Sequence, residues 1–554
     1  MENIIAAINN NSWEEALQLF LDYTSCRRLS EDACIIGATI LEHFDDTESL
    51  FDMIQTGLKI NAFNYELYIL LGNYYGRTNP DQAYLCYENA LYYAIKNGIE
   101  DDISAIRSIM DAHRKNSSLN LKNVTIIVMN DGKTEYLDQC LKSVSENCYS
   151  NCYKVVTLDI NSFEDRTSAI NNTILNITDD NDIFLLRNDV VLTPNALFNL
   201  RLALYDRPET AASSCVSNYA HFYQVPLAHN VSTVEQGINY AISHNIPMSN
   251  PYERKCAADA DFILLKKAII TEFFPLDDYL YSDGFFFTEL GLNIVTKGYS
   301  IVACWNSFVY RHKDQGLAIK NASYIDNDRK QFTKKWGFSS EYYMDVRTEL
   351  IDIISKGSEE KLDILEIGAG LGTTLLNIQY KYPNSTVKGI ELVDKIVNIA
   401  SNYCDIECAN IENYKFSDND KYDYIICGDV LEHLVDPYTL VDRLKSNLKQ
   451  NGCIIASIPN ILDAEVIYNL LHGFFTYDDS GVLDKTHLRF FTQDSIIKLF
   501  SERGYEIVEM LGLPDNNCNT NTHRDFFTKL LSIEGVVDKT QFDILRYAVC
   551  ARKI

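Results

Sequence analysis

The chain has 554 residues, room for about three to four domains at roughly 150 residues each. It is 46% hydrophobic and 23% charged, which excludes wholesale disorder. Asp plus Glu outnumber Lys plus Arg by 77 to 49, a formal net charge of −28, so nucleic acid and anionic lipid are poor partners. Fifteen Cys are scattered without a CxxC spacing; this suits neither a disulfide framework nor a zinc module and predicts reduced thiols in a cytoplasmic protein. No apolar run is long enough for a membrane span, and Met1-Glu2-Asn3-Ile4-Ile5 lacks the basic start of a secretory signal.

Residues 1–118 read as helices. Trp13, Ala16, Leu17, Leu19 and Phe20 recur at helical spacing. Two helical runs, 67–75 and 83–94, flank Asn79-Pro80-Asp81, which predicts an αα-hairpin. The order Leu71-Gly72 to Tyr75, then Ala83, Tyr87 and Ala90-Leu91, resembles a tetratricopeptide repeat of about 34 residues. That resemblance implies a helical-repeat module with a docking surface for a protein partner. The plainer reading is an irregular helical cap on the next domain. Lys115-Asn116-Ser117-Ser118 reads as a linker.

From residue 121 short apolar runs alternate with helices, which predicts a mainly parallel α/β sheet. Strands are expected at Val124–Val128, Lys154–Asp159 and Ile183–Leu186, with a helix over Tyr136–Val144. The opening strand and helix, Leu158-Asp159-Ile160-Asn161-Ser162, and Arg187-Asn188-Asp189 followed by Thr193-Pro194 resemble family-2-type inverting glycosyltransferases of GT-A fold. The resemblance covers about residues 121–340. It implies that Asp159 meets the nucleotide base and that Arg187, Asn188 and Asp189 meet the diphosphate of a UDP-, GDP- or dTDP-linked sugar. It also implies a divalent cation, Mn or Mg, on Asp189, with His312 of Val309-Tyr310-Arg311-His312 as a further metal or phosphate ligand. Arg187 departs from the family by replacing its first acid, and so could itself pair with phosphate. Inverting transfer needs a carboxylate base; Asp283 is the first choice and Glu289 the alternative. The block ends at Phe332-Thr333-Lys334-Lys335-Trp336-Gly337.

A second α/β pattern occupies about residues 345–554, with strands expected at Asp363–Ile367, Val387–Leu392, Tyr422–Cys427, Cys453–Ile458 and near the end of Phe542–Lys553. The first runs into Gly368-Ala369-Gly370-Leu371-Gly372 and then a helix, a turn whose glycines let backbone approach a ligand. Glu391 closes the next strand, where a carboxylate can accept ribose hydroxyls. Glu-x-Gly-x-Gly-x-Gly together with Gly428-Asp429-Val430-Leu431-Glu432-His433 resembles the class I S-adenosylmethionine-dependent methyltransferases. That resemblance implies that Glu366, Gly368, Gly370 and Gly372 cradle methionine and ribose. It places Glu391 on the ribose, Asn410, Ile411 and Glu412 by the adenine, and Asp429, Val430 and Glu432 beside the methyl donor. Asp484 to Thr492 forms a run shared by a subset of these enzymes, several acting on sugars. A hydroxyl acceptor needs a base; His487 and His433 are the candidates, the alternative for each being a structural role. Asp463 stands about where relatives often carry a His. No Cys/His metal set is visible in this block.

The fold expected is therefore α/β: a GT-A Rossmann-like domain and a class I methyltransferase domain, preceded by an all-α module. The function expected is a bifunctional transferase that adds a sugar to a glycan or glycoprotein acceptor and O-methylates that sugar. Such fusions resemble bacterial enzymes of surface-polysaccharide or flagellin glycan synthesis. The alternative is a methyltransferase joined to a non-catalytic sugar binder and a helical scaffold.

Overall fold

The computed structural model describes the chain apart from residues 26, 164, 220–226, 229, 258–260, 277–285, 313–321, 418 and 515–518, and apart from the side chains of 286 and 322–326. It divides into two compact units, Met1–Gly337 and Phe338–Ile554. Among the described residues no helix is long and apolar enough to cross a membrane, and every cysteine is a free thiol.

The first unit opens with α1 (Glu2–Asn9), α2 (Trp13–Ser25), α3 (Glu31–His43), α4 (Thr47–Ile60), α5 (Tyr65–Gly76), α6 (Pro80–Lys96) and α7 (Glu100–Asn116). Short polar side chains start α3, α4, α5 and α6. Ser30, Asp46, Asn64 and Asn79 each accept the amide three residues on, satisfying a donor that the helix leaves free. α5 and α6 form the hairpin that Asn79-Pro80-Asp81 predicts, with Pro80 in the first turn of α6.

α6 is buried around most of its circumference, because helix Ala196–Leu204 of the following sheet layer packs against it. Leu67, Leu71 and Ala90 share one apolar core with Val124, Phe184 and Leu200. Polar ties reinforce the junction: Tyr93 donates to Asn195 Oδ1 at 2.7 Å, Asn195 Nδ2 donates to Tyr68 at 2.9 Å, and Arg201 pairs with Glu88. The helices are thus part of the first unit's core, and residues 115–118 do not separate two bodies.

The sheet of this unit contains β1 (Val124–Asn130), β2 (Tyr153–Asp159), β3 (Asp182–Arg187), β4 (Val190–Val191), β5 (Thr210–Ser217), β6 (Tyr252–Lys255), β7 (Phe262–Leu265) and β8 (Ser300–Arg311). Their order is β2-β1-β3-β7-β5-β8-β4, with β6 on β8. β1, β2 and β3 run parallel, so Asn130, Asp159 and Arg187 end on one edge. β7 runs antiparallel to both β3 and β5.

The second unit holds β9 (Asp363–Ile367), β10 (Thr386–Glu391), β11 (Ile406–Cys408), β12 (Tyr422–Gly428), β13 (Leu448–Pro459), β14 (Tyr505–Pro514) and β15 (Ile544–Lys553). Their order is β11-β10-β9-β12-β13-β15-β14, with β15 antiparallel to both neighbours. β9 lies between β10 and β12, so chain progression reverses there. At that switch point the two neighbouring loops diverge and leave a crevice at the strands' carboxyl ends. The segment from Phe338 belongs to this unit and packs back on it: Leu371 N donates to Tyr343 O at 2.9 Å and Tyr382 donates to Ile354 O at 3.1 Å.

Candidate functional site

Three strand ends build the crevice of the second unit. β9 delivers the glycine turn. Gly368, Gly370 and Gly372 have φ of +73°, +53° and +73°, a region that side chains with a Cβ rarely enter. Space is also short: a Cβ on Gly370 would stand 3.0 Å from Tyr343 O, and one on Gly372 2.8 Å from Cys404 Sγ. Glu366, one residue before the end of β9, is buried. Burial pushes its carboxyl up to about 8, with Glu391 adding to the shift and Thr374 and Arg347 opposing it.

β10 ends on Glu391, whose carboxylate accepts three backbone amides: Leu392 at 2.8 Å, Val393 at 2.9 Å and Gly370 at 3.0 Å. The acid therefore also fixes the glycine turn. After β11, Ala409 N donates to Glu391 O, which holds the next loop against β10. There Asn410 is exposed, its Oδ1 accepting from Glu412 N, and Ile411 is buried.

Asp429 directly follows β12 and takes a left-handed φ of +50°. Ser457 donates to Asp429 Oδ1 at 2.5 Å, and Arg347 and Arg546 both pair with Oδ2. Burial would raise this carboxyl, but the two guanidiniums and Ser457 outweigh it and hold it low. Val430 lies against Gly368, bringing the β12 and β9 turns together.

Glu432 follows in a short 3-10 turn. It is 1% exposed, and neither carboxylate oxygen has a hydrogen-bond partner among the described residues. Burial, then the Asp429 charge, push its carboxyl well up. The distant run at 484–492 is fastened to the same point, because Leu488 and Arg489 amides both donate to Glu432 O, at 2.8 and 3.0 Å. This places His487 against His433, with ring centroids 4.7 Å apart. One nitrogen from each ring and one oxygen of Glu432 all lie within 4.8 Å of one another. The set is a Glu-His pair adjacent in sequence plus a His from a separate loop. Burial, and then His487, lower the pKa of His433, which keeps it neutral near pH 7. Asp463 does not take the place of a base; its Oδ1 caps helix Ala464–Leu471.

Tyr342, Tyr343 and Arg347 also belong to this crevice, though no sequence motif marks them. Arg347 is held between Asp429 and Glu349, and Thr373 Oγ1 donates to Asp345 O beside the glycine turn.

The predicted residues of the first unit also gather at strand ends, in a different electrostatic state. Asp159 is exposed and caps a single 3-10 turn, accepting from Asn161 N and Ser162 Oγ. Asn188 Nδ2 donates to Asp131 Oδ1 at 2.9 Å. Asp189 is 3% exposed and lies 3.5 Å from Arg187 Nε and 3.3 Å from Arg311 Nε. Arg311 also pairs with Asp261 at 2.6 Å, as does Arg166, while Arg187 reaches Asp131 at 3.4 Å. Three arginines thus face three aspartates.

A hard cation bound on an acid keeps several waters and needs an open carboxylate, whereas Asp189 is enclosed and already neutralised. His312 is turned elsewhere, Nε2 on Gln139 Oε1 at 2.7 Å and its ring stacked on Tyr136. The expectation of a divalent cation on Asp189 and His312 gains no support from this arrangement. Glu289 is buried and ion-paired with Lys335. Asp283 lies outside the described residues.

Residues 337–510 match the family model described as a methyltransferase domain. An uncharacterised protein of Methanocaldococcus jannaschii is 27% identical over 183 residues, 31% of this chain and 48% of that protein. The ubiquinone biosynthesis O-methyltransferase of Nitrosospira multiformis is 26% identical over 171 residues, 28% of this chain and 66% of that enzyme. The chain thus spans about half to two thirds of the length of these relatives. A solved SAM-dependent methyltransferase from Archaeoglobus fulgidus aligns at 17% identity and a TM-score of 0.29, covering 40% of this chain and 98% of that one. The second unit contains a class I S-adenosylmethionine-dependent methyltransferase domain.

Proposed function

We propose that the second unit transfers a methyl group from S-adenosylmethionine to a hydroxyl of its acceptor. The observation that carries this reading is the convergence of the glycine turn, Glu391 and the Asp429–His433 turn on one switch-point crevice. In it Glu366 and the turn to Gly372 hold the methionine and ribose, Glu391 the ribose hydroxyls, and Asn410 and Ile411 the adenine. Asp429, Val430 and Glu432 flank the transferred methyl. The hydroxyl loses its proton at the cluster of Glu432, His433 and His487. The similarity to an O-methyltransferase supports oxygen as the acceptor atom. Incubation with labelled S-adenosylmethionine and a panel of sugars, nucleotide sugars and phenols, read by mass spectrometry, tests it. A product heavier by one methyl on oxygen is expected. Tight binding of a nicotinamide nucleotide with no binding of S-adenosylmethionine would overturn the reading.

We further propose that the first unit holds a nucleotide sugar, UDP-, GDP- or dTDP-linked, at the edge formed by Asp159, Arg187 and Asn188. Support comes from their shared position at the ends of parallel strands, where α/β sheets take ligands. The enclosure of Asp189 by Arg187 and Arg311 disfavours a cation there, and so favours a binder over a metal-dependent glycosyltransferase. Tethering would then raise the local concentration of a bound sugar at the methyl-transfer site. Calorimetric titration with the three nucleotide-sugar classes, with and without Mn2+, should give binding that is independent of the ion. Sugar transfer to a glycan or glycoprotein that requires Mn2+ and is lost in Asp189→Ala would restore the metal-dependent transferase.

A further inference from the structure

We infer that Glu432, His433 and His487 form a binding site for one divalent first-row cation, which grips and acidifies the acceptor hydroxyl. The role of the ion rests on the methyl-transfer reading; its binding does not.

Glu432 is 1% exposed, and among the described residues neither oxygen has a hydrogen-bond partner. A buried carboxylate left in that state is costly, and a cation removes the cost. No Lys or Arg pairs with it among the described residues; Arg347 and Arg546 are engaged by Asp429.

The two imidazoles are oriented as ligands. His487 Nδ1 lies 2.9 Å from Val482 O. A carbonyl can only accept, so the ring proton sits on Nδ1 and Nε2 carries the lone pair. His433 Nδ1 faces Thr486 O at 3.3 Å and Thr486 Oγ1 at 3.1 Å, and that hydroxyl donates onward to Asp484 at 2.6 Å. That leaves Nε2 as the lone-pair nitrogen, with the Tyr342 hydroxyl a long 3.5 Å away as its partner. Fixing Nδ1–H on a carbonyl or a carboxylate-linked donor is how proteins aim histidines at metals.

The three donor atoms span up to 4.8 Å. Around an ion with bonds of roughly 2.1 Å, neighbouring donors stand about 3 Å apart, so side-chain rotations of about 1 Å close the set. Two nitrogens and one oxygen suit Mn, Fe, Co or Zn better than Mg, and three protein ligands leave positions open for substrate. A hydroxyl bound there is acidified as metal-bound water is. Its proton leaves to solvent, the oxygen's electron pair forms the bond to methyl carbon, and the sulfur–carbon pair stays on sulfur as a neutral thioether. The histidines are then ligands rather than bases.

Chelator-treated full-length protein is titrated with Mn2+ and followed by electron paramagnetic resonance. S-adenosylmethionine binding is measured separately by calorimetry. The wild type should bind about one Mn2+ and show nitrogen coupling from imidazole. Glu432→Gln and His487→Gln should each weaken that binding at least tenfold. Should the buried Glu432 variant fail to fold, His433→Gln, at a half-buried position, and the wild-type nitrogen coupling still decide. Lack of nitrogen coupling, or Mn2+ affinity unchanged in the folded variants, overturns the site. Mn2+ bound with nitrogen coupling but no S-adenosylmethionine binding would keep the metal site and remove the methyl-transfer reading; the converse result would remove the metal site alone.

Discussion

Replacing Glu366 by Gln should change how stability depends on pH. The wild-type carboxyl is raised from 4.5 to about 8 by burial at the end of β9. Between those values the fold keeps a proton that the unfolded chain has lost. The native state then binds more protons, so stability is full below pH 4.5 and falls as pH rises toward 8. Across the whole window the loss is about 5 kcal/mol, at about 1.4 kcal/mol per unit. From pH 5.5 to pH 8, allowing for partial titration at each end, it is about 3 kcal/mol, or roughly 100-fold in the opening equilibrium. Gln cannot ionise and removes this slope while keeping the shape. Hydrogen exchange of β9 peptides in the absence of methyl donor reads it locally. The ratio of variant to wild-type protection should rise about 100-fold between pH 5.5 and 8. Trp13, Trp305 and Trp336 all lie in the first unit, so their fluorescence gives an unfolding control that should not respond. A ratio that stays flat over this range would mean that Glu366 is already charged in the fold, and the burial argument would fail.

Gly370→Ala should leave the second unit folded, at a cost of about 1–2 kcal/mol for the left-handed φ. It should weaken S-adenosylmethionine binding at least tenfold by calorimetry, because the new methyl group meets Tyr343 O; wild-type affinity would remove the turn from the donor site. Glu391→Ala takes an acceptor from three amides at once. It should lower affinity for S-adenosylmethionine by about 2–6 kcal/mol, at roughly 1–3 kcal/mol for each of the two ribose hydroxyls left without an acceptor. A variant that binds adenosine ligands normally would place the ribose elsewhere. Arg311→Met leaves Asp189 and Asp261 short of a buried cation. It should destabilise the first unit by about 3–5 kcal/mol in urea unfolding followed by tryptophan fluorescence; an unmoved midpoint would mean the pairs are dispensable.

The parallel strands are legible because burial on both faces forces continuous apolar runs. β9 falls on Asp363–Ile367 as expected, and β1, β3 and β12 agree to within a few residues. β11 and β14 leave weaker traces. β11 is three residues long, and β14 is an edge strand whose register with β15 shifts twice, so its pattern of burial is broken. The glycine turn and Glu391 could be read because both sit where a strand ends. Other features depend on contacts across long separations. Arg311 reaches Asp189 from 122 positions away, so the sequence shows an acid at a strand end without the guanidinium that neutralises it. Phe338–Ile354 carries no motif, yet its Tyr343 carbonyl seats the turn. His433 and His487 fit no metal spacing, since two loop amides on Glu432 O bring them together.

The two units differ in whether every buried acid near their strand ends has a guanidinium. In the first unit each acid at the β3 edge has a guanidinium: Asp131 with Arg187, Asp189 with Arg187 and Arg311, Asp261 with Arg166 and Arg311. Such a lattice resists losing a member. In the second unit Asp429 is neutralised in the same manner by Arg347 and Arg546, while Glu432, three residues on, has no such partner among the described residues and faces two imidazoles. An unfolded chain would hydrate that carboxylate, so the fold carries its desolvation as a standing cost. A cost concentrated on one buried acid beside a predicted donor crevice is characteristic of a site shaped by function rather than stability.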